Sequence, residues 1–180
     1  MASQNSKVIG LAIAGAVGGF LFGFDSSVVN GAIDAIKSDF ALGDALLGIT
    51  VAIALLGCAV GAFIAGRLAD RLGRIPVMLI GSGLFVVSAI AAGLATEVGV
   101  LIVARVVGGL GIGIASVIAP AYIAEISPAG IRGRLGSLQQ LAITVGIFAA
   151  LLSDAVFAGL AGGESQPLWF GLAAWRWMFL

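Results

Sequence analysis

An all-α bundle of membrane-spanning helices is the fold class this sequence predicts, and three observations predict it. The 180 residues are 61% hydrophobic and only 10% charged, whereas a soluble domain carries roughly 45–50% apolar and about 25% charged residues. The apolar residues fall into uninterrupted stretches long enough to cross a bilayer, and the basic residues alternate between the joints. The same composition excludes disorder, which needs charge and few Leu, Ile, Val and Phe. Lys+Arg and Asp+Glu balance at nine each, so no net field marks a nucleic-acid partner. One cysteine, Cys58, excludes an internal disulfide. With no histidine, the commonest metal ligand is missing, and proton chemistry must run on carboxylates.

A hydrocarbon core of about 30 Å needs about 20 apolar residues at 1.5 Å each. Five stretches meet that length: Val8 to Ile33, Leu46 to Ala65, Ile75 to Ala95, Val98 to Ala124 and Leu135 to Ala161. A sixth begins near Leu172. Lys7 and Asp34 flank the first. A signal peptide is its competing reading, but the run exceeds the about 7–15 residues of a signal's apolar core and has no single distinct cleavage site, so it is expected to remain in the mature chain. The joints carry charge or turn residues: Asp34 to Asp44, Arg67 to Arg74, Thr96 with Glu97, Glu125 to Arg134 with Pro128, and Gly162 to Pro167. Pro120 is expected to bend the fourth span and Pro128 to end it.

Lys7, Arg67, Arg71, Arg74, Arg132 and Arg134 fall on one side of the alternating path, against Lys37 and Arg176 on the other. The positive-inside rule then places the N-terminus and the second and fourth joints in the cytoplasm. Trp169, Trp175 and Trp177 cluster where the sixth span enters, as an interfacial aromatic belt would.

Only Asp25, Arg105 and Asp154 lie inside the five complete stretches. A charge at midmembrane costs about 2.5–3.5 kcal/mol even on lenient scales, so these need partners or water. Asp25 precedes Asp34 by nine residues and Arg105 follows Glu97 by eight, which sets each roughly 12–14 Å below the outer surface on antiparallel helices. A fixed ion pair is the plain reading. The functional one is a carboxylate that takes up and releases a proton as the pair forms and breaks; Arg105 itself does not titrate usefully. Asp154, near the outer end of the fifth span, is expected to be structural and within reach of the headgroups.

Glycines recur every four residues: Gly15, Gly19 and Gly23; Gly57 and Gly61; Gly109 and Gly113. Such faces let helix backbones approach closely. VGGFLFG (17–23) also echoes VGGLGIG (107–113); an inverted three-helix repeat and chance in a glycine-rich chain both account for it. Gln139 and Gln140 open the fifth span with Thr144 a turn on. Their amides suit sugar hydroxyls as well as interhelical hydrogen bonds. Phe22, one turn from Asp25, can stack on a sugar ring or simply pack. GRLADRLGR (66–74) sets an acid among three arginines, a stop-transfer cluster or a latch between helix ends. In PAYIAEISPAGIRGR (120–134), Glu125 and Arg132 are placed to form interfacial ion pairs.

Taken together, these segments resemble the N-terminal half of a sugar porter of the major facilitator superfamily, and the resemblance covers nearly the whole chain. GGFLFGFD (18–25) is similar to the family's first-helix signature and GRLADRLGR to the superfamily's loop motif. The Arg105–Gly113 segment is similar to the fourth-helix motif, and Pro120–Gln140 to the segment bridging helices four and five. The resemblance implies a twelve-helix fold of which 1–180 is part of the first six-helix bundle. It implies that Asp25 couples protons with Arg105 as its partner, that Phe22, Gln140, Ile143 and Ile147 contact sugar, and that Asp70, Arg71, Arg74, Glu125 and Arg132 form a cytoplasmic network locking the outward-facing state. Ile75 stands where a second basic residue often ends the loop motif, which weakens the latch by one charge.

Proton-coupled symport of a hexose or pentose by alternating access is therefore the expected function. The chain would serve as a fragment in the cell membrane with a C-terminal six-helix half elsewhere. The expected partners are sugar, proton and lipid, with no nucleic acid, cofactor or metal. A sugar or polyol uniporter of the same fold is the first alternative, and an orphan half acting as a non-transporting assembly protein the second. An enzyme is disfavoured, because no nucleophile, base and oxyanion donors stand at recognisable spacing.

Overall fold

The computed structural model describes residues 2–180, with side chains described for all but residues 2–9, 11 and 14. Lys7, used above for orientation, has its side chain outside the described residues. The elements are α1 (Ala2–Asp39), α2 (Asp44–Leu72), α3 (Arg74–Gly93), α4 (Val98–Ile126), α5 (Arg132–Ala161) and the short α6 (Ala174–Phe179). The first five are long and apolar enough to cross a membrane.

The helices extend into what reads as loop in the sequence. α1 runs through Asp34 and Lys37 to Asp39, so the first joint is only four residues, closed by Lys37 reaching Asp44 at 2.6 Å. Most of GRLADRLGR is helix: α2 continues to Leu72, a single Gly73 at φ 88° breaks the chain, and Arg74 opens α3. That positive φ suits glycine, which has no Cβ to clash. Charged residues do not stop a helix; they place its end outside the lipid, and the backbone bonds carry on until a residue such as Gly73 turns the chain. α4 continues through Pro120, leaving the Ser116 carbonyl without its helical donor, and stops just before Pro128.

Close helix approach over small residues sets the packing, and it repeats. A Cβ built on Gly109 or Gly113 of α4 would collide with the carbonyl of Ala54 or Cys58 on α2, and one on Gly19 or Gly23 of α1 with that of Gln139 or Ile143 on α5. In return Gly61 of α2 lies on the Leu110 carbonyl of α4, and Gly146 of α5 on the Phe20 carbonyl of α1. The echo between VGGFLFG and VGGLGIG is therefore structural. The string in α1 seats α5 and the string in α4 seats α2 at matching positions, the arrangement of an inverted repeat. α3 closes on α4 through Gly81 and Gly111, and through Ser88, whose buried hydroxyl donates to the Ala104 carbonyl at 2.7 Å.

The largest apolar core lies at the Asp39 end, where Val28, Ile36, Leu101, Met178 and Trp175 bury one another. Trp175 is 0% exposed and its Nε1 donates to Asp39 at 2.8 Å. The expected belt of three tryptophans is thus corrected: Trp169 is exposed, but Trp175 is a core residue, because the linker before α6 folds its indole inward. That linker is pinned by Leu168, Ala174 and Trp175 backbone amides donating to Leu172, Gln166 and Glu164. Elsewhere large apolar side chains face outward, as Leu55, Phe63 and Phe148 do, the pattern of a surface bathed in lipid or covered by further protein.

Candidate functional site: a buried ion pair between two cavities

α1 and α4 pack against each other, with Gly18 close to Ala115 and Ala119, and further along the same pair of helices Asp25 and Arg105 meet. Arg105 Nη1 donates to Asp25 Oδ1 at 2.7 Å, and the residues are 5% and 7% exposed. The guanidinium also lies over the Phe179 ring, 5.6 Å from its centre, a cation–π contact favoured where water is excluded. Arg105 Nε has no partner among the described residues. Burying both charges is costly and is offset only by their mutual attraction and hydrogen bonding.

Asp25 borders two cavities. One, of about 560 Å³, lies among α1, α3 and α6 and is walled by Phe24, Phe85, Ser88 and Phe179. The other, of about 230 Å³, lies among α1, α2 and α4 and holds Phe22, Ser26, Asn30, Cys58 and Arg105. Phe22 therefore stands beside the ion pair. Gln140, Ile143 and Ile147 do not line either cavity. They run along α5, whose backbone is held against Gly19 and Gly23, and Gln140 and Ile147 are exposed. Gln139, next to them, turns toward Gly19, and its amide oxygen is buried without a partner among the described residues.

At the opposite end of the bundle Arg74 is the hub. Its Nε and Nη2 approach Glu125 Oε1 at 3.1 and 3.0 Å, and its Nη1 lies 3.7 Å from Asp70. The expected pairing of Glu125 with Arg132 is corrected. Arg132 donates to the Ser127 carbonyl at 3.3 Å, because the turn through Pro128 carries the start of α5 back over the end of α4. Arg71 is exposed and makes no salt bridge among the described residues. Asp154, expected near the headgroups, is 6% exposed, and both its oxygens lack partners among the described residues.

Three contacts have weak signals in the sequence. Phe179 over Arg105 and Trp175 on Asp39 both depend on how the linker folds, and Arg176 donates to the carbonyls of Gly93 and Ala95. An arginine and tryptophan together at a helix start were the only signal. Among the described residues no cluster of three or more His, Cys, Asp or Glu converges as a metal site.

Comparison with known proteins agrees with this architecture. A family model described as "Sugar (and other) transporter" matches residues 11–180. A glucose transport protein of Synechocystis sp. is 58% identical over 91% of this chain, and the match covers 35% of that protein. An arabinose-proton symporter of Escherichia coli is 43% identical over 82% of this chain and 31% of its own length. The chain spans about a third of the length of these curated relatives. Among solved structures, the proton:xylose symporter XylE of the major facilitator superfamily, bound to 6-bromo-6-deoxy-D-glucose, superposes with TM-score 0.88 at 31% identity. It covers 98% of this chain and 42% of that one. Its inward open form from Escherichia coli gives 0.82 over 96% and 44%. With nearly every residue inside the family match and the five long helices superposed, the chain belongs to the sugar transporter family and has the fold of the N-terminal half of a major facilitator sugar porter.

Proposed function

We propose that the chain is the N-terminal part of a proton-coupled sugar symporter of the cell membrane, with its N-terminus in the cytoplasm, working by alternating access. The observation that carries the reading is the Asp25–Arg105 pair, 2.7 Å apart and buried. Separating two buried charges by removing one partner costs about 3–5 kcal/mol. A proton on Asp25 neutralises the carboxylate and so removes the attraction that holds it to Arg105; the guanidinium, now without a counter-charge, is driven toward water, and α1 and α4 are freed to move. The two cavities flanking Asp25 supply room for water or substrate on either side of the pair. The printed names of the arabinose-proton and proton:xylose symporters among the relatives support coupling to protons.

In this reading Phe22, Gln140, Ile143 and Ile147 form the N-terminal wall of the sugar site, which the missing half closes over the exposed face of α5. Asp70, Arg71, Arg74, Glu125 and Arg132 form the cytoplasmic latch, with Arg74 at its centre. Catalysis of a covalent reaction is not part of the cycle.

Asp25→Asn in the full-length protein keeps the side chain's size and removes its titration. In vesicles with an imposed proton gradient it is expected to abolish sugar accumulation while sparing exchange between labelled and unlabelled sugar. Undiminished accumulation would sink the coupling role.

A further inference from the structure

The coupling pair leaves one buried carboxyl unused. Asp154 lies on α5 in the seam with α1, seven residues before the helix ends. α1 presents a small stripe to α5 there: Gly19 and Gly23 against Gln139 and Ile143, then Ser27 at the same helical spacing, then Gly31. A Cβ on Gly31 would occupy the position of the Asp154 carboxyl. The carboxyl therefore fills the notch left by the glycine, 6% exposed and with no hydrogen-bond partner for either oxygen among the described residues. The Gly31 amide lies close to it but already donates within the ladder of α1.

Among the described residues no cation is left to balance an ionised Asp154. Around it, α1 carries Asp25, Asp34, Lys37 and Asp39, α4 carries Arg105 and Glu125, α6 carries Arg176, and the linker carries Glu164. Arg105 is held by Asp25, Lys37 by Asp44, and Arg176 by Asp39 and two backbone carbonyls. Glu125 is paired with Arg74 at the far end, where Arg132 and Arg134 also stand. The groups that remain nearby are acids. Burial, and then Asp34, push the Glu164 carboxyl up from its ordinary value of 4.5, so the rim above the seam already resists further negative charge. A buried carboxylate without donor or counter-charge takes up a proton instead.

We propose that Asp154 is a second proton-binding carboxyl of the bundle, neutral while α1 and α5 are closed together over Gly31 and ionised only when that seam opens to water. The step is a simple one: a proton from water at the rim bonds to a carboxylate oxygen as the seam closes, and returns to water as it opens. Acid favours the closed seam and alkali the open one. The site is distinct from Asp25 and stands whether or not Asp25 couples transport.

Infrared spectra of the full-length protein test it. At neutral pH the wild type is expected to show a protonated-carboxyl C=O stretch that moves in heavy water, and Asp154→Asn or Asp154→Ser to remove it. The Asp25→Asn variant retains this band. On raising the pH from about 4 to neutral, where the unfolded chain has released this proton and the folded protein still holds it, the wild type loses thermal stability more steeply than Asp154→Asn. A band unchanged in both Asp154 variants overturns the proposal. So does a wild-type spectrum with no protonated carboxyl at neutral pH, which needs no variant to fold. Loss of accumulation in Asp25→Asn, or its absence, bears only on the coupling pair.

Discussion

Gly23 and Gly159 are the same residue type on neighbouring helices, yet they do different things. Any side chain at Gly23 meets the backbone of Ile143, which cannot swing aside, whereas nothing lies within 4 Å of a Cβ at Gly159. Gly23→Ala is therefore expected to destabilise the full-length protein by about 1–3 kcal/mol, the usual cost of overpacking. Gly159→Ala should be neutral or gain up to about 1 kcal/mol of helix propensity. Thermal unfolding in detergent compares the two, and equal melting temperatures would contradict the close-packed seam. The sequence showed glycine spacing but not which glycines face a neighbour, because α1 is apolar nearly all round and offers no polar stripe to orient it. Asp25 and Arg105 were legible for the opposite reason. Charges in lipid are scarce, and a fixed rise per residue sets their depth from the loops. Asp154 was misplaced because depth alone does not say whether a side chain faces lipid, headgroup or another helix.

At the scale of elements, the helices themselves were readable from length and apolarity, and their ends were not. Loops between these helices shrink to one residue at Gly73 and four between α1 and α2, since a helix that leaves the lipid gains by continuing its hydrogen bonds in water. The consequence is a rigid corner between α2 and α3, with Arg74 tied to Asp70 on one helix and Glu125 on another. These pairs are partly exposed, so Arg74→Ala is expected to cost no more than about 1 kcal/mol of stability. The same energy is worth about a fivefold change in a two-state population. In the proposed cycle this should raise the labelling of a cysteine placed at Ile147 from the cytoplasmic side. Reduced or unchanged labelling would remove Arg74 from the latch. The sequence could not assign Glu125 to Arg74 over Arg132, because that choice depends on how α4 and α5 turn at Pro128.

For the molecule as a whole, the distribution of basic residues carries the proposed orientation, and two positions with free space around them can test it. Cysteines at Gly43 and Gly130, where a side chain meets nothing within 4 Å, lie at opposite ends of the bundle. An impermeant maleimide is expected to label Gly43→Cys in intact cells and Gly130→Cys only after permeabilisation. The reverse pattern would invert the topology. The proposed sugar wall was only partly legible, because spacing along α5 does not say that Gln140 and Ile147 are exposed and line neither cavity beside Asp25.

The seating of α1 on α5 and of α4 on α2 has one more consequence. Asp25 stands two residues beyond Gly23, and the residue two beyond Gly113 is Ala115; Arg105 stands two before Val107, and the residue two before Val17 is Gly15. The backbone is thus nearly indifferent to which end of the bundle is which, while the ionisable groups occupy only one member of each matched pair. Direction enters this frame through a few side chains rather than through its architecture, much as a symmetric balance is tipped by a small weight on one arm.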